Sequence, residues 1–177
     1  CSCVIFPQPQ ENRLIVVQYA DGLLHYSHFP YSLEEKDLSL CQAFEEIVES
    51  FHIDLLHIHH CMRTSFGFID SAKKLGIPVI YNVHDYYALS PEYNLLRRDG
   101  TYHGVPKDDE YYDQYLCLTY GKWRTPIRKA IDQVDYIVAP SNSALAVFDQ
   151  VYGDVGGSRY VIEHGTDPVH HMQNFEK

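Results

Sequence analysis

Long apolar runs are missing from this chain: none approaches the ~18 residues that a membrane-spanning helix needs. Positive charge is scarce as well. Lysine and arginine number 14 against 24 acids, giving a net charge of −10 and a pI near 5.4. That balance excludes a general affinity for nucleic acid, because cationic side chains must displace the counterions of the phosphates. The one concentration of basic residues (Arg97, Arg98, Lys122, Arg124, Arg128, Lys129) reads either as a solvated face or as a local patch. Cysteines are few and odd in number (Cys1, Cys3, Cys41, Cys61, Cys117), which gives no disulfide framework and predicts a reducing, cytosolic compartment. Repeats and low-complexity tracts are lacking, and the first residue is not methionine, so the stretch is expected to be a piece of a longer protein.

What the chain does have is enough apolar material for one core: 177 residues, 45% hydrophobic and 21% charged. It also has 15 tyrosines. A ring with a hydroxyl edge suits sugars and other polyols, yet tyrosine equally fills half-buried positions.

Elements follow from periodicity. Val4–Phe6 reads as the end of a strand closed by Pro7 and Pro9, and Arg13–Tyr19 and Leu23–Phe29 as a hairpin turned at Ala20-Asp21-Gly22. Ser32 and Glu35 have the spacing of a capping box, ahead of a helix carrying Leu40, Cys41, Phe44, Ile47, Val48 and Phe51 on one face. Ile53–Ile58 predicts a strand, Phe68–Leu75 a helix ended by Gly76 and Pro78, and Val79–Val83 a second strand, together the size of a βαβ unit. Residues 86–108 have no period and read as a long loop, followed by helices over 109–120 and 123–134. Asp135–Ser141 predicts a buried strand leading into a capped helix, and Gly156-Gly157 a turn into a last strand at Arg159–Glu163.

The short, continuous apolar runs are those of strands buried on both faces, as in parallel sheets. In such sheets ligands sit beyond the carboxyl ends of the strands. Those ends carry His59 and His60, then His84 and Asp85, then Ser141, then Glu163 and His164. An imidazole there can act as a base or hydrogen-bond a sugar hydroxyl, an aspartate can orient it, and Ser141 opens a helix N-terminus that attracts phosphate. The rim thus fits a polyhydroxylated substrate with a phosphate nearby.

The strings D-L-L-H-I-H-H, K-K-L-G-I-P-V-I-Y-N-V-H-D-Y-Y-A-L-S-P, D-Y-I-V-A-P-S and V-I-E-H-G-T-D, in this order over residues 53 to 168, resemble the amino-terminal half of family-4 glycosyltransferases. The resemblance implies an α/β fold, a Rossmann-like parallel sheet flanked by helices forming one half of a GT-B architecture, here with an amino-terminal β-hairpin. It implies a retaining enzyme that moves a sugar from a nucleotide-sugar to a polysaccharide or glycan acceptor in capsule, cell-wall or exopolysaccharide synthesis. Position by position, it places His84 against the transferred sugar as the catalytic residue. His59 and His60 line the acceptor cleft, with His57 opening the H-x-H. Asp85, Tyr86, Tyr87 and Asn94 stand on the acceptor-side loop. His164, Gly165 and Asp167 match the N-G-x-D crossing toward a second domain, with His164 in place of the asparagine.

The resemblance implies no cofactor and no metal; the nucleotide-sugar is a substrate bound mainly by a carboxyl-terminal domain. The family's first strand and glycine-rich loop have no counterpart here, and Cys117 alone is too few for a zinc site. One Rossmann-like domain is therefore expected over residues 1–177, unable to complete a catalytic cycle without its carboxyl-terminal partner. The location expected is cytoplasmic, with peripheral attachment to the inner face of the membrane left open. Two other functions stand beside this one at the level of sequence. His57, His59, His60 and His84 could form the ligand set of a metal-dependent hydrolase, or the domain could bind carbohydrate without catalysis.

Overall fold

The computed structural model describes residues 2–97 and 99–165. An antiparallel sheet comes first: β1 (Cys3–Gln8), β2 (Arg13–Ala20) and β3 (Leu23–Pro30), in that spatial order. Between β2 and β3, Ala20 pairs with Leu23, so only Asp21 and Gly22 turn the chain, both at positive φ (53° and 79°). Two consecutive left-handed residues make the turn whose twist matches the strands it joins. The hairpin legible in the sequence is present, and Leu14 and Val16 of β2 enter the main core.

Helix α1 (Lys36–Phe51) buries Leu40, Ala43, Phe44, Ile47 and Val48. Its start departs from the expected capping box. The cap is Glu35, with no side-chain bond, while the Ser32 hydroxyl accepts from the amide of Glu34 and the Ser32 backbone is held by the hydroxyl of Ser39. Ser32 thus finds its partners in a local turn and is not free to cap.

The second sheet is parallel and runs β4 (Leu56–Ile58), β5 (Val79–Asn82), β8 (Tyr136–Ala139), β9 (Ser158–Val161) across its width. Helix α2 (Gly67–Lys74) crosses from β4 to β5, and Gly76 reverses the chain at φ 74° as its position predicts. Between β5 and β8 come a small hairpin, β6 (Tyr111–Asp113) with β7 (Leu118–Thr119), and then α3 (Tyr120–Ile131). This corrects the helix expected over 109–120. Tyr111 and Tyr112 favour strand, Cys117 takes φ 51° in the turn, and the helix waits for Thr119, whose hydroxyl accepts from the Lys122 amide. Helix α4 (Asn142–Tyr152) leads into β9.

One core joins both sheets to the helices. Phe44 of α1 stacks on Phe68 of α2 at 4.7 Å, and Tyr81, Ile137, Phe148 and Tyr152 close the other side. The result is the expected α/β architecture, a Rossmann-like parallel sheet flanked by helices, with the antiparallel hairpin at the amino-terminal side. Among the described residues no helix is long and apolar enough to cross a membrane.

Candidate functional site

Strands β4 and β5 lie side by side in register, with Ile58 opposite Tyr81. Their exits therefore bring the residues just beyond them together. Side chains alternate along a strand, so His57 and His59 share a face with Asn82 and His84, while His60 falls beside Asp85 on the other. The rings of His57 and His59 are 4.1 Å apart, those of His59 and His84 5.0 Å, and those of His84 and His164 5.2 Å with an interplanar angle of 9°. Four imidazoles thus form one exposed row along the rim. The convergence of His59 and His84 is the one expected from the sequence.

Hydrogen bonds sort the protons. Nε2 of His84 is 2.8 Å from Nδ1 of His59 and 3.1 Å from Nδ2 of Asn82. An amide nitrogen only donates, so with Asn82 in this orientation Nε2 of His84 accepts and the ring proton sits on Nδ1. Nδ1 of His59 then donates, leaving Nε2 of His59 as an acceptor. Neither Nδ1 of His84 nor Nε2 of His59 has a protein partner among the described residues. The rim therefore offers one donor and one acceptor side by side, the complement of a hydroxyl.

Both flanking rings are kept neutral. Partial burial, and then the imidazoles of His59 and His164, push the pKa of His84 below its ordinary value; Asp85 pulls weakly the other way. Burial, His59 and His84 lower His57 in the same sense.

His60 does something different. Its Nδ1 accepts from the amide of Met62 at 2.7 Å, and its Nε2 lies 2.8 Å from Oδ2 of Asp85. Both nitrogens are committed, so His60 is a fixed strut. Asp85 is equally engaged, its other oxygen accepting from the amide of Tyr87 at 2.8 Å.

The loop after β5 is held by its backbone. Three successive carbonyls are gripped from below: Tyr87 by Trp123 Nε1 at 3.0 Å, Ala88 by the Tyr152 hydroxyl at 2.7 Å, and Leu89 by Arg124 Nε at 2.7 Å. Tyr87 also stacks against Phe66 and meets Trp123 edge-on. Burial raises the phenol pKa of both Tyr86 and Tyr87. Asn94 is turned to its own backbone, accepting from the Leu96 amide at 3.0 Å. Ser141 caps α4 by accepting from the Ala144 amide at 3.1 Å.

The structure thus gathers His59, His84 and His164 in one row and sets His60, Asp85 and Tyr87 beside it as support. Asn94 and Ser141 are exposed and engaged locally. Gly165 is exposed with open space around its Cα, and Asp167 lies outside the described residues. Asn82 was not among the expected residues, although its spacing of two from His84 places it on the same face of β5.

The model of the family described as Glycosyltransferase Family 4 matches residues 4–170 of this chain. The chain belongs to glycosyltransferase family 4. No curated protein matches it. The family-4 match begins at residue 4, well ahead of the motif strings that start at residue 53, and takes in the antiparallel sheet from the second residue of β1. In this family-4 glycosyltransferase domain the imidazole row stands at the carboxyl edge of the parallel sheet, where the sequence placed it.

Among the described residues no three His, Cys, Asp or Glu side chains are arranged to hold a metal ion. His60 has no free nitrogen, and His59 and His84 each spend one on the other. The hydrolase alternative draws no support from this geometry.

Proposed function

We propose that this domain is the acceptor side of a retaining, GT-B glycosyltransferase that moves a hexosyl group from a nucleotide-sugar to a glycan or polysaccharide acceptor. Two things support the reading: membership of glycosyltransferase family 4, and the hydrogen-bonded His59–His84 pair that presents a donor and an acceptor at the rim. The second carries the site assignment. A hydroxyl both donates and accepts, so a free ring N–H beside a free ring nitrogen satisfies both of its roles.

In this reading Nδ1–H of His84 donates to a hydroxyl of the transferred sugar, and the acceptor cleft runs past His59, His60 and the loop carrying Tyr86, Tyr87 and Asn94. Transfer forms a bond between the anomeric carbon and the acceptor oxygen and breaks the bond to the donor phosphate, and the proton of the acceptor hydroxyl passes to the departing phosphate oxygen. The role of His84 is to fix the orientation of the sugar against the acceptor, which is where an oriented hydrogen bond lowers a barrier. The donor nucleotide is held mainly by a carboxyl-terminal domain reached through His164, Gly165 and Asp167. The phosphate-attracting amino terminus of α4 at Ser141 stands on the same rim. Synthesis of capsule, cell-wall or exopolysaccharide at the cytoplasmic face of a bacterial membrane is the setting we assign.

The test is transfer by the full-length protein across a panel of nucleotide-sugars, with His84→Ala as the matched variant. Loss of turnover in the variant on the preferred donor supports the assignment. An unchanged rate would remove His84 from the reaction, and absence of transfer from every donor would favour a carbohydrate-binding role.

A further inference from the structure

Away from the imidazole row, residues 105–108, the α3 residues from Gly121 to Arg128 and the end of α4 line an open cavity of about 430 Å³. Its lining is basic in a chain of net charge −10: Lys107, Arg124 and Arg128 face it, against Asp108. Asp154, just outside, pairs with Arg128, so three cations still meet only two carboxylates.

Arg124 is the unusual member. It is 5% exposed, and its Nη1 donates to the carbonyl of Pro106 and to Oδ1 of Asp108, each at 2.8 Å. With Nε on Leu89, the guanidinium is fixed in orientation. Its Nη2 is enclosed and has no protein partner. Buried polar atoms are rarely left unpaired, and an arginine fork is shaped to take two oxygens of one oxyanion. Asp108 supplies only one oxygen, to one nitrogen, from a side chain that is 75% exposed. It can swing into solvent and free the Nη1 proton it holds, beside the unpartnered Nη2, while Pro106 keeps the other Nη1 proton. Lys107 Nζ has no partner among the described residues.

The loop closes on the helix at Gly121, where a Cβ would come within 2.9 Å of the Asp108 carbonyl. The Gly121 amide donates to that same carbonyl at 2.9 Å. The cradle is therefore part of the packing of this loop. Its volume exceeds that of a bare phosphate and lies in the range of small-molecule sites, ~300–1,000 Å³. Val105, Pro106 and Val151 give it an apolar wall.

We propose that this cavity is a second ligand site, distinct from the imidazole row, which binds a small phosphorylated molecule. The phosphate takes the fork of Arg124 in place of Asp108 and is neutralised by Lys107, while the organic part lies against Pro106 and Val151.

Trp123, the only tryptophan, neighbours Arg124 and reports binding by fluorescence. The chain is titrated at low ionic strength with inorganic phosphate and with glycerol 3-phosphate, by fluorescence and by calorimetry. One saturable site with Kd below ~1 mM is expected, the glycerol ester binding more tightly than phosphate. Lys107→Glu, on the exposed loop, weakens it about tenfold or more, and Asp108→Asn, which removes the competing carboxylate, strengthens it. His84→Ala leaves it unchanged. The proposal falls if no saturable binding occurs up to ~10 mM, if Lys107→Glu and Asp108→Asn bind like the parent, or if His84→Ala abolishes binding and so moves the ligand to the rim.

Discussion

His60 donates to Asp85 through Nε2 while its Nδ1 receives the amide proton of Met62, so this ring is locked in one tautomer and one orientation. Asp85 completes the lock by accepting from the Tyr87 amide. Replacing it with asparagine forces an amide NH₂ to face another N–H, which leaves one part-exposed donor without its protein partner. Asp85→Asn is expected to lower stability by about 0.5–1.5 kcal/mol in urea unfolding. A shift of the midpoint indistinguishable from zero would mean that the lock is not closed in solution.

The proton assignments can be read directly. Nitrogen-15 shifts of the imidazoles should show His60 as the Nε2–H form and His84 as the Nδ1–H form at pH 7.5. Finding His84 protonated on Nε2 would invert the donor and acceptor at the rim.

Acid sensitivity follows from the lowered pKa values of His57 and His84. Above the ordinary histidine value of about 6.5, both rings are neutral in the folded and unfolded chain, and no proton is exchanged on unfolding. As pH falls through 6.5 toward the lower folded values, the unfolded chain takes up protons first and is favoured. Stability should therefore drop between pH 7.5 and pH 5, and less so in the His57→Gln/His84→Gln double variant. Equal pH slopes for the two proteins would contradict the assignment.

Tyr152 is fully buried, and its hydroxyl holds the Ala88 carbonyl. Tyr152→Phe deletes one oxygen and strands that carbonyl, at a cost of about 1–2 kcal/mol. Because the same contact anchors the loop that follows His84, kcat in the full-length enzyme should fall as well. Destabilisation with kcat unchanged would show that the anchor serves packing alone.

Gly157 lies against the start of β8, and a Cβ there would sit 1.8 Å from the Asp135 carbonyl. Gly157→Ala should cost ~3 kcal/mol or more, since backbone and not a mobile side chain must move. Gly165→Ala, with nothing within 4 Å, should be near neutral. Chemical denaturation of the pair gives the contrast.

The sequence made the parallel strands and their order of motifs readable because each is a short apolar run ending in polar residues that water or a ligand must meet. His59 and His84 could be paired in advance for that reason, and strand alternation would have delivered Asn82 too. The stretch 109–120 misled because its tyrosines satisfy a helical period while their rings prefer the pleated hairpin that α3 supports. Nothing local in Trp123, Arg124 or Tyr152 announces that they grip carbonyls 36, 35 and 64 positions away. Such contacts are set by how α3 and α4 settle on the sheet, a property of the assembled core.

Those three grips divide the long segment after β5 into a riveted root and an exposed tip closed by the Leu96–Tyr102 bridge. The tip can be exchanged as a cassette. Homologous enzymes could diverge there in what they grasp without disturbing the imidazoles next to the root, which makes the stretch beyond that bridge the natural place to graft a new preference.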